Sequence, residues 1–363
     1  MLARIKKVEK VLKAEKADVL LVVNNEGSGQ PATSWLSGFT GSSSILLSTK
    51  TKRFLITDGR YISQSKKEVS DFVVLISSRE NTTLQIVNRY LAKTSFSEIL
   101  FDGGVTSYSE IEELQKNIPT ALFVSKKNVL QELRAVKDTD EQDTLRKASD
   151  IACRSLHALI PRMSQGMTEK EIAKILESIC SEEGGEGMSF PTIVASGRNG
   201  AFPHAKPTLK KIANGELVTI DFGVRYKGYV SDMTRTLAVG KISPRLKEIY
   251  EAVREAQELG CQKAKAGMTG AEIDAVCRDY LTKKGLGNYF THSTGHGIGM
   301  EVHELPSISA SAQVPLSAGS VITCEPGIYI PNVGGVRIED ALILTQKGSH
   351  NLTESVSKDL IHL

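Results

Sequence analysis

The 363-residue sequence contains no apolar run near the roughly 20 residues of a membrane-spanning helix; Val19 to Val23 is the longest local candidate. No membrane segment is therefore expected. The first residues, Met1-Leu2-Ala3-Arg4-Ile5-Lys6-Lys7-Val8-Glu9-Lys10, lack the unbroken apolar stretch of a signal peptide and read instead as an amphipathic helix. Cysteine is scarce and odd in number: Cys153, Cys180, Cys261, Cys277 and Cys324 are widely spaced and form no CxxC pair. That argues against a disulfide framework and a thiolate zinc site, and a reducing cytoplasm fits best. Charge of one sign is also missing, because 45 Lys and Arg face 42 Asp and Glu, a balance of +3. Nucleic acid and anionic membrane are not implied as partners.

What remains is ordinary globular composition, 40% apolar and 24% charged, which excludes disordered, collagen-like and coiled-coil chains. The length exceeds the roughly 250 residues at which single cores stop growing, so two domains are expected. In the first 125 residues, β-branched runs alternate with helical periodicity: Val19 to Val23, Ser44 to Leu47, Arg53 to Thr57, Phe72 to Ile76, Glu98 to Phe101 and Leu122 to Val124. This is an α/β pattern. The charge-dense stretch from Lys126 to Asp143 then gives way to long helical periodicity, which places an N-terminal α/β domain at 1–125 and a second domain at 126–363.

The second domain carries an internal repeat. Gly166-Met167-Thr168-Glu169-Lys170-Glu171-Ile172 recurs as Gly267-Met268-Thr269-Gly270-Ala271-Glu272-Ile273, each with the Thr-x-x-Glu of a capping box. Pro203-His204 is echoed by Val302-His303, Gly215, Asp221 and Gly223 by Gly319, Glu325 and Gly327, and Asp232 by Glu339, with offsets drifting from 99 to 107. Two halves related by a pseudo-twofold are expected to face one cleft. Across it, His204 pairs with His303, Asp221 with Glu325, and Asp232 with Glu339.

Glu216 to Gly240 alternates and turns at Lys227-Gly228, the pattern of a β-hairpin. If Tyr226 pairs with Tyr229, Asp221 lies opposite Thr234, and Asp221 and Asp232 share a face at roughly 5.5 to 8 Å. Carboxylates that close need a proton or a cation between them. Val336 to Asp340 reads as a further strand with Arg337 and Glu339 on one face, and Val321 to Cys324 sets Glu325 at the end of an apolar strand. His292 to Glu304 holds three of the seven histidines, His292, His296 and His303, among glycines. Asp221, Asp232, Glu325 and Glu339 bring four negative charges that two divalent cations would neutralise, with His296 adding one nitrogen. Such a dinuclear site lowers the pKa of a bridging water and polarises a carbonyl or phosphoryl oxygen, so hydrolysis is the expected chemistry. An oxygen-rich set without thiolate suits Mn²⁺, Co²⁺ or Zn²⁺.

These residues resemble the metal-dependent aminopeptidases and prolidases of the pita-bread fold. The run His292 to Glu304 and the ordered set Asp221, Asp232, His296, Glu325, Glu339 are similar to that family's signature, and Ser34 to Ser42 and Thr57 to Tyr61 look like motifs of its N-terminal domain. The resemblance implies an α/β N-terminal domain, a duplicated α+β catalytic domain, two divalent ions, Mn²⁺ or Co²⁺ ahead of Zn²⁺, and a homodimer. It also implies that His204 and His303 bind substrate, that Glu325 doubles as ligand and proton shuttle, and that His292 and Arg337 support the site. The implied substrates are peptides with proline at the second position. Thr57-Asp58-Gly59-Arg60-Tyr61 is more similar to the aminopeptidase P branch, which sets that activity ahead of an Xaa-Pro dipeptidase; a non-enzymatic peptide-binding module is a third alternative.

Overall fold

The computed structural model describes residues 2–26, 30–92 and 98–363. It divides into two compact units that meet in sequence at Arg134/Ala135. The first comprises α1 (Leu2–Ala14), β1 (Val19–Asn24), α2 (Pro31–Ser37), β2 (Ser44–Thr49), β3 (Arg53–Thr57), α3 (Ile62–Glu68), β4 (Val73–Ile76), α4 (Thr83–Ala92), β5 (Glu98–Phe101), α5 (Tyr108–Asn117), β6 (Leu122–Ser125) and α6 (Val129–Arg134). Its strands form one mixed sheet in the order β4-β3-β2-β1-β5-β6. Along β1, Val19 and Leu21 join the α4 and α5 side chains Ile86, Val87, Ile111 and Leu114 in one core. The alternate residues Leu20 and Val22 are buried as well, as expected of a strand covered on both faces. Ile5, Val8 and Leu12 of α1 are buried at helical spacing. The helix α6 buries Val129, Leu130 and Leu133 and packs on α1 and α2, so the division falls after it rather than near residue 126. A six-residue helix inside a charge-dense stretch leaves too short a pattern to separate from a linker.

The second unit runs α7 (Thr139–Leu159), α8 (Glu169–Glu182), β7 (Ile193–Ser196), β8 (Leu217–Phe222), β9 (Arg225–Tyr226), β10 (Tyr229–Val230) and β11 (Met233–Ala238). It then repeats the plan with α9 (Pro244–Lys263), α10 (Gly270–Lys283), β12 (Gly295–Gly297), β13 (Glu304–Ile308), β14 (Val321–Cys324), β15 (Gly327–Ile330), β16 (Gly334–Arg337), β17 (Asp340–Leu344) and β18 (Ser349–Asn351). The duplication is written in the backbone. Thr168 and Thr269 open α8 and α10 through complete capping boxes. Gly166 N donates to Ile212 O at 2.9 Å and Gly267 N to Leu316 O at 2.8 Å; Ile212 N donates to Met167 O and Leu316 N to Met268 O at 2.9 and 2.8 Å. Each half has its own core, one including Leu156, Ile172, Val218 and Ile220, the other Val253, Ile273, Ile322 and Leu342. Burying each such side chain contributes about 1.5–3 kcal/mol.

The hairpin register is the expected one: Tyr226 pairs with Tyr229 and Asp221 with Thr234. Lys227 (φ 47°) and Gly228 (φ 78°) are both left-handed, the geometry of a two-residue type I′ turn. The expected strand over Val336 to Asp340 is corrected to two strands, because β16 pairs with β15 whereas β17 pairs with β14. In the break between them Glu339 N donates to Thr234 O at 3.1 Å, which joins the second half to the first.

Candidate metal centre

Asp221 is the next-to-last residue of β8, Asp232 precedes β11, Glu325 follows β14 and Glu339 precedes β17, so the two halves deliver their carboxylates from near corresponding strand ends. Ligand atoms of Asp232, His296 and Glu339 lie within 4.8 Å of one another. His296 Nε2 stands 3.1 Å from Glu325 Oε1 and 3.8 Å from Asp232 Oδ2. Its Nδ1 faces Gly297 O at 3.1 Å. That carbonyl only accepts, so Nδ1 carries a proton; burial works against the charged ring, but the hydrogen bond to Glu325 outweighs it and raises the His296 pKa, so without metal Nε2–H faces the carboxylates, where a cation would take the place of that proton. Asp221 sits beside the cluster, paired with the Arg337 guanidinium.

Asp221, Asp232 and Glu339 are 8%, 4% and 1% exposed, and bare carboxylates at that burial are untenable without compensating charge or protons. Burial first, and then the Glu339, Asp221 and Glu325 charges, hold the Asp232 pKa well above the usual carboxylate value. Burial, followed by Glu325 and Asp221, does the same to Glu339. Asp221 is raised by burial against the opposing pull of Arg337. Burial also acts upward on Glu325, but its hydrogen bond to His296 and the charges of His296, His292 and Arg337 outweigh this and bring it down to about 2. The buried atoms Asp221 Oδ1 and Glu339 Oε1 have no hydrogen-bond partner. Two orphaned carboxylate oxygens, an imidazole nitrogen among acids and no thiolate make a donor set that fits hard or borderline divalent cations.

The surrounding residues fix these groups. Thr234 Oγ1 donates to Glu339 Oε2 at 2.7 Å and accepts from Arg337 Nε at 3.2 Å. Thr323 Oγ1 accepts from His296 N and donates to Glu325 Oε1, both at 3.1 Å. Arg337 Nη1 donates to the Tyr329 hydroxyl at 2.6 Å, and that hydroxyl lies 3.0 Å from His292 Nε2. Burial pushes Tyr329 up to about 12, so its proton is available to His292. Behind them, Asp274 accepts from Thr294 N and Oγ1 while Arg278 donates to Phe290 O and His292 O. Arg235 donates to Glu339 O at 2.6 Å and pairs with buried Asp340. Thr234, Thr323, Tyr329, Asp274 and Arg235 gave no sign in the sequence, since their partners mostly lie tens of residues away. His303 is exposed and its ring stands 4.3 Å from that of His296. His204 is exposed on the loop after β7. Desolvation lowers the pKa of His292 and of His303, and His204 adds to both shifts from nearby.

Residues 143–346 match the model of metallopeptidase family M24, and residues 4–136 that of the creatinase/prolidase N-terminal domain. An Xaa-Pro dipeptidase of Pyrococcus furiosus is 41% identical over 259 residues, 71% of this chain and 74% of its own. The crystal structure of an Xaa-Pro dipeptidase from Bacillus anthracis superposes with a TM-score of 0.94 at 36% identity, covering 100% of this chain and 99% of that one. That of an X-Pro aminopeptidase from Thermotoga maritima gives 0.91 at 36% identity, covering 99% and 100%. Among the described residues no helix is long and apolar enough to cross a membrane.

Proposed function

Because the chain belongs to metallopeptidase family M24, we propose that it is a dinuclear Xaa-Pro dipeptidase in which Asp221, Asp232, His296, Glu325 and Glu339 hold two divalent cations. The observation that carries this is the pair of orphaned carboxylate oxygens on Asp221 and Glu339 in the cluster that holds His296 Nε2 and Asp232. When bound, such cations supply Lewis acidity to a scissile carbonyl and lower the pKa of water at the site. The oxygen-rich donors suit Mn²⁺, Co²⁺ or Zn²⁺, and the family resemblance sets Mn²⁺ or Co²⁺ ahead. Glu325 accepts the proton of the attacking water. An Xaa-Pro bond has no N–H, and its nitrogen leaves only when protonated; Glu325 returns that proton. The exposed imidazoles of His204 and His303 donate to the substrate and to the oxyanion as charge develops. Arg337 favours the ionised form of Asp221 against the effect of burial, and Tyr329 orients His292.

The dipeptidase names borne by the Pyrococcus and Bacillus relatives support that branch, and they outweigh the aminopeptidase branch expected from Thr57 to Tyr61. The Thermotoga structure keeps an aminopeptidase P activity as the second reading. A homodimer in a reducing cytoplasm completes the proposal; the five cysteines are all free thiols. The deciding assay compares an Xaa-Pro dipeptide, an Xaa-Pro-Xaa tripeptide, the N-acetylated tripeptide and Met-Ala-Ser. Cleavage of the dipeptide with little turnover of the others is expected. Preferred cleavage of the tripeptide would transfer the assignment to aminopeptidase P, and cleavage of the acetylated peptide would refute an exopeptidase of either kind.

A further inference from the structure

The loop that carries His204 leaves β7 at Ser196 and returns to α8 at Thr208, and both of its ends converge on one side chain. Glu169, the first residue of α8, is 0% exposed. Its Oε1 accepts from Ser196 N at 2.8 Å, Ser196 Oγ at 2.9 Å and Asn199 Nδ2 at 3.1 Å. Its Oε2 accepts from Asn199 Nδ2 at 3.1 Å, Thr208 N at 3.0 Å and Thr208 Oγ1 at 2.6 Å. Six acceptances from the two ends of one loop make this carboxylate a clasp. Only an acceptor on both oxygens can fill the role, because Ser196 N and Thr208 N are obligate donors. The first turn of α8 adds its own free N–H groups, Glu169 N donating to Lys210 O and Lys170 N to Thr208 O. In the middle of the loop the turn 197–201 lies against β16, and Arg337 Nη1 donates to Pro203 O at 3.3 Å.

The internal repeat shows that the helix start does not itself require this side chain. The residue equivalent to Glu169 is Gly270, where a Cβ would stand 2.2 Å from Ser307 O. In the second half the backbone of β13 presses directly on the helix; in the first a carboxylate spans the interval. We propose that Glu169 is a positioning residue that sets the placement of His204 toward the substrate by clasping the loop 196–208. This rests on the substrate role given to His204 under Proposed function. Opening the clasp lets the stretch around His204, residues 202–208, which lies in neither helix nor strand, sample other shapes, and displacement of a catalytic group by about 1 Å costs on the order of 10²-fold in rate.

The test is a double-mutant cycle on the metal-loaded enzyme with Glu169→Gln, His204→Ala and the pair, reading kcat/KM, bound metal, and amide exchange across 196–208 with metal present and after its removal. Glu169→Gln keeps the shape but turns one acceptor into a donor facing Ser196 or Thr208. It is expected to lower kcat/KM by about 10- to 100-fold, to leave two metals per chain, to speed exchange in the loop in both metal states, and to cost nothing further when His204 is already Ala. Thr208→Val, at an exposed position, removes one of the six bonds and should give a smaller loss of the same kind even if Glu169→Gln does not fold. Unchanged kcat/KM in these variants beside an impaired His204→Ala would overturn the proposal alone. The same holds if Glu169→Gln loses metal, or loses the same factor in the His204→Ala background. Full activity of His204→Ala would instead remove the role of His204, and the proposal with it.

Discussion

Thr234 offers the cleanest perturbation of the metal centre. It is fully buried in β11, donates to Glu339 Oε2 at 2.7 Å and accepts from Arg337 Nε at 3.2 Å. Thr234→Val removes the hydroxyl with almost no change of volume, and valine suits a strand at least as well, so neither a cavity nor a lost strand confuses the result. A hydrogen bond to a charged group contributes about 1.5–3 kcal/mol, and the Glu339 oxygen is left with no donor. We therefore expect the metal-free protein to lose about 1.5–3 kcal/mol, read as a lower urea midpoint at unchanged slope. The same hydroxyl orients a proposed metal ligand, and loss of such support typically costs 10- to 100-fold in metal affinity, to be read by competition with a chelator of known affinity. Thr234→Ser keeps the hydroxyl and should behave like the wild type in the metal assay. A Thr234→Val protein within about 0.5 kcal/mol of wild type, the range of an ordinary surface change, and with unaltered metal affinity would refute the reasoning.

Asp232→Asn should abolish hydrolysis and reduce bound metal while leaving the circular dichroism spectrum native; full activity at two metals per chain would remove Asp232 from the ligand set. His303→Ala should lower kcat by about 10² to 10³ with metal retained, the scale of one lost oxyanion donor, and an emptied metal position in that variant would make His303 a ligand instead. The pH dependence has a definite sign. Asp232 and Glu339 have folded-state pKa values raised by burial and neighbouring acids, so in the metal-free fold these two groups contribute stability that is lost as pH rises above about 4. Cations relieve that repulsion, and the rise in melting temperature on adding metal to dialysed protein should be larger at pH 8 than at pH 5.5; an equal or smaller rise at pH 8 would contradict it.

Much of this architecture was legible from local pattern. The six strands of the first unit were visible as β-branched runs, and the hairpin register followed from Lys227-Gly228, because a two-residue turn leaves one way to pair Asp221 with Thr234. The repeat was legible for the same reason, since Thr168 and Thr269 each announce a helix by a capping box. What stayed hidden depends on partners distant in sequence. Ile338 and Glu339 continue an alternating pattern, yet the chain changes sheets there, and only the strands on either side determine that. Tyr329 looks like an ordinary strand aromatic until Arg337 and His292 are placed around it. Glu169 reads as a favourable first-turn acid, and nothing local tells that Ser196 and Thr208 will close on it.

The central claim is that four carboxylates and His296 hold two cations on which Xaa-Pro hydrolysis depends. It is tested most directly by dialysing the protein free of metal and titrating Mn²⁺ back while following both bound metal and hydrolysis of an Xaa-Pro dipeptide. Activity absent without metal, and saturating as bound Mn²⁺ reaches two per chain, is the predicted result. Undiminished hydrolysis by metal-free protein, or saturation of binding at one ion per chain with full activity, would contradict it.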